Sequence, residues 1–257
     1  MSFFNKVLAT IGIGAATVDT VLEKSHYVAG ERIQGMIGIK GGSTQQEVDA
    51  IYLTLHTTYI RESDDKKFTD QAIIQKIEVA EPFIIKENER KEIPFAFDLS
   101  YETPVTYGNT KVWVSTGMDI KNSIDPKDKD YIEIAPHPLK ESVLSAIQDL
   151  GFRTRKVECE QAPKRLRRHF PFIQEFEFVP MSGAYAGKLD ELEVMFNEQS
   201  KDKVEILLEV DRRARGLGGF LAEALDMDES IVTLNVDASD APDLKRIIQK
   251  AIDRVCS

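Results

Sequence analysis

A chain of 257 residues with 42 % hydrophobic content is long enough for two domains with a core in each, which excludes disorder as the default. Its 43 acidic against 33 basic residues leave a net charge of -10, which repels phosphate backbones and anionic headgroups and argues against a nucleic-acid partner. The two cysteines, Cys159 and Cys256, exclude a disulfide framework and a closely spaced zinc or redox pair, and they fit a reducing cytoplasm.

At the start of the chain Phe4, Val7, Leu8 and Ile11 make a short helical stripe. The apolar run from Val7 to Ala16 follows a single lysine, contains Thr10, Gly12 and Gly14, and continues into a strand pattern, so it reads as part of the fold and not as a signal peptide. No window reaches the roughly 18 uninterrupted apolar residues of a membrane-spanning helix, so stable membrane insertion is not expected.

From there the dominant signal is period two, the signature of strands whose successive side chains point to opposite faces. Ile33, Ile37 and Ile39 alternate with polar neighbours, as do Ile51, Leu53, Leu55 and Tyr59, then Ile93, Phe95, Phe97 and Leu99, then Val112 and Val114 followed by Thr116, Met118 and Ile120. Turn chemistry separates these runs at Gly41-Gly42-Ser43, at Asp64-Asp65-Lys66-Lys67 and at Tyr107-Gly108-Asn109. The segment 124–139 is dense in charge and holds three prolines, so it is read as a break in regular structure. The domain boundary is placed there, around Ile134, giving domains 1–134 and 135–257.

Beyond it, Leu139, Val143, Leu144, Ile147 and Leu150 fall at helical spacing and end at Gly151, a residue suited to the left-handed position after a helix. Alternation resumes with Phe176 and Phe178, with Leu192, Val194 and Phe196, with Val204, Ile206, Leu208 and Val210, and with Val232, Leu234 and Val236. Leu244, Ile247, Ile248, Ala251, Ile252 and Val255 form a C-terminal helical stripe, opened by Asp240 or Asp243 as cap with Pro242 near the first turn. Many short strands with few peripheral helices predict an all-β chain of two antiparallel sandwiches.

No residues assemble into a catalytic set, since GxSxG, HExxH, Walker and CxxC patterns are all absent. The string GIGAAT from Gly12 lacks the third glycine and the preceding strand of a dinucleotide loop. His26, His56, His137 and His169 lie far apart in sequence. No catalytic residue, metal site or cofactor is therefore expected, and the chain reads as a non-enzyme.

Two charged groups stand out. Asp125, Asp128 and Asp130 crowd the domain joint, and with Arg212 and Arg213 they are candidates for polar contacts between the domains. The run KRLRRHF carries Lys164, Arg165, Arg167 and Arg168, candidates for contact with an acidic partner surface. Read as a strand, it places Leu166, Arg168 and Phe170 on one side and Arg165, Arg167 and His169 on the other, as a half-buried sheet edge would.

The segment YVAGERIQGMIGIKGG, residues 27–42, resembles the entry to an arrestin-like N-terminal domain. EIPFAFDL, residues 92–99, resembles the Pro-Phe strand of that domain, and KVWVSTGMDI followed by DPKDKDYIEIAP resembles its closing strands. With the opening FFNKVLATIGIGAATVDTVLE, the chain resembles the bacterial sporulation-control proteins, the stage-zero M family, over essentially its whole length. The resemblance implies two arrestin-like sandwiches, a cytoplasmic location, no enzymatic activity and an influence on sporulation through regulatory proteins of sporulation or cell division. Edge strands would let such sandwiches accept a partner strand or pair as a homodimer. The competing reading is a peripheral membrane or trafficking adaptor, and a third, metal-dependent reading would use Asp125, Asp128 and Asp130.

Overall fold

The computed structural model describes residues 14–63, 66–121, 125–164, 166–212 and 229–256. The chain divides into two compact units. One holds residues up to Thr58 with Gln71–Thr103 and Lys111–Ala135, and the other holds Tyr59–Asp70, Pro104–Thr110 and everything from Pro136. The expected N-terminal stripe at Phe4, Val7, Leu8 and Ile11 and the turn at Asp64 and Asp65 lie outside the described residues.

The strands of the first half are β1 (Thr17–Leu22), β2 (His26–Val28), β3 (Arg32–Lys40), β4 (Gln46–Ser63), β5 (Lys66–Ala80), β6 (Phe83–Ile85), β7 (Arg90–Asp98), β8 (Val112–Ile120) and β9 (Lys127–Ala135). In the first unit one sheet has the order β1-β3-β7 and a second the order β4-β8-β9-β2, with β5 and β6 also paired to β4. Alternation dictates which side chains meet between them. Ile33, Ile37, Ile39, Phe95 and Phe97 from the first sheet share one core with Ile51, Leu53, Leu55, Val114 and Met118 from the second. Burying each of the large aliphatic side chains contributes about 1.5–3 kcal/mol. Gly30 turns the chain into β3 with a φ of 85°, and a Cβ there would strike the Tyr101 ring.

The charged segment 124–139, which charge and prolines mark as a break but whose DPKDKDYIEIAP resembles a closing strand, contains strand β9, paired antiparallel with β8 from Val112↔Ile132 to Gly117↔Lys127. Its alternation was hidden because two of its inward positions are Asp128 and Asp130, followed by the buried Ile132 and Ile134. Asp128 is held there by a backbone donor, accepting from the Thr20 N–H at 2.7 Å. Beside it the Thr20 and Thr116 hydroxyls are hydrogen-bonded at 2.6 Å.

The second unit is built on β10 (Phe152–Gln161), β11 (Phe172–Pro180), β12 (Leu189–Gln199), β13 (Lys203–Arg212) and β14 (Glu229–Asp237), with helices α1 (Pro138–Asp149) and α2 (Leu244–Cys256). The five strands are antiparallel in the order of their numbers, and the tail of β4 runs parallel to β10 at Glu160↔Ile60. The all-β class with a C-terminal helix stands, and the helices do more than was expected of them. Leu139, Val143 and Ile147 of α1 and Leu244, Ile248 and Ile252 of α2 share one core with Phe178, Leu192, Val194, Ile206 and Leu208 of the sheet.

The helix boundaries follow local chemistry. His137 Nδ1 accepts from the Leu139 N–H at 3.4 Å and Pro138 opens α1. Gly151, at φ 95°, closes it, where a Cβ would lie 2.4 Å from the Ser182 carbonyl oxygen. A 3-10 turn, Ala238–Asp243, runs directly into α2, and Asp237 caps that turn. Asp240 reaches back to the Asp237 N–H at 2.9 Å in a reciprocal capping box. The Tyr185 hydroxyl donates to Asp253 at 2.8 Å and pins the middle of α2. Among the described residues no helix is long and apolar enough to cross a membrane.

One residue of α1 departs from its stripe. Lys140 is 3 % exposed, with Nζ 5.0 Å from the Phe176 ring centroid and 4.6 Å from that of Phe196. Burial lowers its pKa to about 7 from the ordinary 10.5. Between these values the unfolded chain holds a proton that the folded chain does not, so stability rises with pH across that window, and below it the full penalty is present. Lys140→Met is expected to raise the melting temperature at pH 7 by roughly 5 °C, the size of about 2 kcal/mol in a chain of this length, and to flatten the rise between pH 7 and 10.5. A melting series by calorimetry checks both.

Candidate functional site

The sheet of the second unit has two faces of opposite chemistry. Even positions of β11, β12 and β13 point to the helices, as Phe176, Phe178, Leu192, Val194, Ile206 and Leu208 do. The odd positions carry the carboxylates Glu175, Glu177, Glu191, Glu193, Glu205, Glu209 and Asp211 beside the buried Ile173, Met195 and Leu207. Register then decides which of them meet: Lys156 is opposite Glu177, Glu177 opposite Glu193, Glu193 opposite Glu209, and Glu209 opposite Ile231. One row across three adjacent strands is thus three glutamates. On one side of it Glu191 faces Asp211, and on the other Glu158 faces Glu175.

Directly opposed side chains on an antiparallel sheet have Cβ atoms about 5 Å apart, and like charges so placed destabilise by roughly 1 kcal/mol per pair at a half-solvated surface. Glu175 registers this crowding. Burial, and after it the charges of Glu193, Glu160 and Glu209, push its pKa up to about 8. Cations gather toward one side of the face. Arg155 pairs with Glu177 and Glu191, and Lys156 with Glu158 at 2.6 Å and Glu160 at 3.2 Å.

The basic run KRLRRHF lies on this same face, not in a strand. After β10 the chain turns, with the Leu166 and Arg167 N–H groups both donating to the Pro163 carbonyl at 2.9 Å. Leu166 packs on Ala162, Ile173, Met195 and Leu207, the apolar patch beside the glutamate row. Two residues on, Arg168 Nη2 reaches Glu205 at 3.5 Å. Lys164, Arg167 and Arg168 are exposed, while Arg165 lies outside the described residues. Strand propensity misread this run, because its alternation of Leu166, Arg168 and Phe170 is also what a turned segment needs to drop one apolar side chain onto a patch.

The candidate interdomain residues are placed as follows. Asp125 accepts from the Ile120 N–H at 3.0 Å, and Asp128 binds Thr20 as above. Asp130 stands beside Asp128 and Asp19, and its carboxyl is raised to about 6, chiefly by burial and then by the Asp128 charge. These partners all belong to the first unit. Arg212 ends β13, and Arg213 lies outside the described residues, as does the glycine-rich stretch after it. Among the described residues no group of three or more His, Cys, Asp or Glu side chains is arranged to hold a metal ion. The residues that sequence reasoning missed are Glu175, Glu193 and Glu209. Each looks like an ordinary solvent-side position of its own strand, and cross-strand register alone brings them together.

Comparison with known proteins gives one consistent result. The family model described as SpoOM protein matches residues 4–214. The sporulation-control protein spo0M of Bacillus subtilis (strain 168) is 44 % identical over 257 residues, covering 99 % of each chain. The crystal structure of Spo0M from Bacillus subtilis matches at a TM-score of 0.83 and 43 % identity, covering 95 % of this chain and 100 % of that one.

The raised carboxyl of Glu175 has a consequence for stability with a definite sign. Between its ordinary 4.5 and about 8 the folded chain holds a proton that the unfolded chain has released, so stability falls as pH rises through that window. Glu175→Gln is expected to leave the melting temperature nearly unchanged at pH 4.5 and to raise it by several degrees at pH 8.5. Thermal denaturation at the two pH values checks the difference.

Proposed function

Because the chain belongs to the sporulation-control protein family, we propose that it is a non-enzymatic, cytoplasmic regulator of sporulation that works by binding other regulatory proteins. The observation that carries this reading is the kinship itself, which runs through both units instead of stopping at a shared domain. The chemistry of the surface supports the binding part. A sheet face crowded with carboxylates, with a basic segment beside it, offers charge-assisted contacts that discriminate between partners and speed their encounter. The cytoplasmic setting accords with two cysteines that are both free, Cys159 buried and Cys256 exposed.

The reading is tested by genetic replacement. In a Bacillus subtilis strain lacking its own sporulation-control protein spo0M, this chain expressed at the native level is expected to restore the frequency of heat-resistant spores to within about twofold of the parent. A full-length chain that accumulates and melts cooperatively, yet leaves the frequency at that of the deletion strain, would overturn the assignment. Affinity capture from the same cells identifies the bound proteins.

A further inference from the structure

In its sheet β1 is an edge strand, paired with β3 alone among the described residues, so its other side presents backbone groups that no ladder satisfies. Asp128 takes the place of a strand partner there, its Oδ2 accepting from the Thr20 N–H at 2.7 Å. The Thr20 and Thr116 hydroxyls continue the link, joining β1 to β8 at 2.6 Å. Polar side chains thus fasten one sheet of the first unit to the other along this edge, and every residue involved lies within that unit.

Asp130 sits on the same inward register of β9 as Asp128, and both are half-buried. Its Oδ2 is enclosed and has no hydrogen-bond partner. A buried carboxylate oxygen without a donor is costly, and a proton shared with a neighbouring carboxylate removes the cost. Asp128 is within hydrogen-bond reach to be that neighbour. The charges bearing on Asp130 are Asp128 from its own strand and Asp19 from β1, both negative. From β8 only Val114 and Thr116 stand opposite Asp130 and Asp128. The lysines that flank the pair in sequence, Lys127 and Lys129, take the exposed register of β9, and Lys129 lies over the Trp113 and Tyr131 rings.

We propose that Asp128 and Asp130 form a proton-sharing latch, which closes the β1 edge when Asp130 is protonated and releases it when both are ionised. Protonated, Asp130 donates to Asp128 and leaves Asp128 Oδ2 free to hold the Thr20 N–H. Ionised, it sets a second negative charge beside Asp128, with Asp19 close by, and repulsion draws Asp128 off the Thr20 N–H. The Asp130 carboxyl is raised from 3.8 to about 6, chiefly by burial and then by the Asp128 charge. Between those values the closed edge keeps a proton that an opened edge has released. Closure therefore weakens as pH rises through that window, and the full loss stands above about 6. Release bares the free edge of β1, a template on which another strand can pair.

Native-state hydrogen exchange of the intact chain, read amide by amide by NMR and corrected for the intrinsic rate at each pH, tests the latch at the Thr20 N–H. The N–H of the buried Leu53, in the middle of β4, reports opening of the whole unit. From pH 5 to pH 7.5 the Thr20 opening constant is expected to rise about tenfold, the linkage value for a carboxyl moved from 3.8 to about 6. At both pH values it is expected to exceed that of Leu53. In Asp130→Asn, whose amide donates to Asp128 at every pH, the rise is expected to shrink below about twofold, and the melting temperature at pH 7.5 to match or exceed that of the intact chain. Glu92→Gln, which removes an exposed carboxylate from β7 of the same sheet, is expected to behave as the intact chain does. A pH-independent Thr20 opening would overturn the proposal, as would a rise that survives in Asp130→Asn or a lower melting temperature in that variant. A Thr20 N–H that opens no more readily than that of Leu53 would also overturn it, leaving Asp130 as a contributor to the stability of the unit and nothing more.

Discussion

Strand geometry forces every residue of β11, β12 and β13 onto one of two faces, and in the second unit those faces have been given incompatible chemistry. The even positions are apolar and must be covered, which fixes α1 and α2 over them through Ile147, Ile248 and their neighbours. The odd positions cannot then be apolar too without inviting association through a bare sheet face. Ile173, Met195 and Leu207 among them are covered by Leu166, most of the rest are carboxylates, and register sets three glutamates in a line. The stability of the unit is the balance of the two faces: a helix-covered core strong enough to hold together a surface that repels itself. Lys140 adds a second internal cost on the helix side, a buried amine between Phe176 and Phe196.

The same balance gives the second unit a pH response with two opposing parts. Glu175 weakens the fold as pH rises toward about 8, while Lys140 strengthens it as pH rises above about 7. Near neutral pH the two partly offset each other. In the first unit the structural logic is simpler. Two sheets share an aliphatic core, and the polar residues that enter it from β1, β8 and β9, namely Thr20, Thr116 and Asp128, are tied together by hydrogen bonds.

Most strands of both units could be read from alternation, because in each the apolar residues are spaced by two and bounded by turn residues. The exceptions have physical causes. In β9 the inward positions Asp128 and Asp130 replaced the hydrophobic half of the pattern. In β5, Ile73 and Ile74 are consecutive, and Ile77 and Val79 are only partly buried, so the period is blurred. The turn at Pro163 was invisible in a run whose side chains alternate as well as any strand. The helical stripes of α1 and α2 were legible apart from the buried Lys140 and Ala146, but not the sheet face they cover, since packing partners distant in sequence leave no local trace. The acidic row was illegible for the deepest reason. Its members come from three strands, and the pairing of Glu177 with Glu193 and of Glu193 with Glu209 depends on hairpin register and bulges. No sequence window contains it.

The central claim is that crowding on this face is real and is felt by its carboxylates. Carbon-detected NMR of the glutamate side chains in the intact protein measures it most directly, following the Glu175 carboxyl carbon as pH is raised from 3 to 10. A midpoint near 8, moving down when Glu193 and Glu209 are both changed to glutamine, is the predicted result. A midpoint near 4.5 that is indifferent to those two substitutions would mean that the row is open to water and carries no stored repulsion, and the account built on it would be wrong.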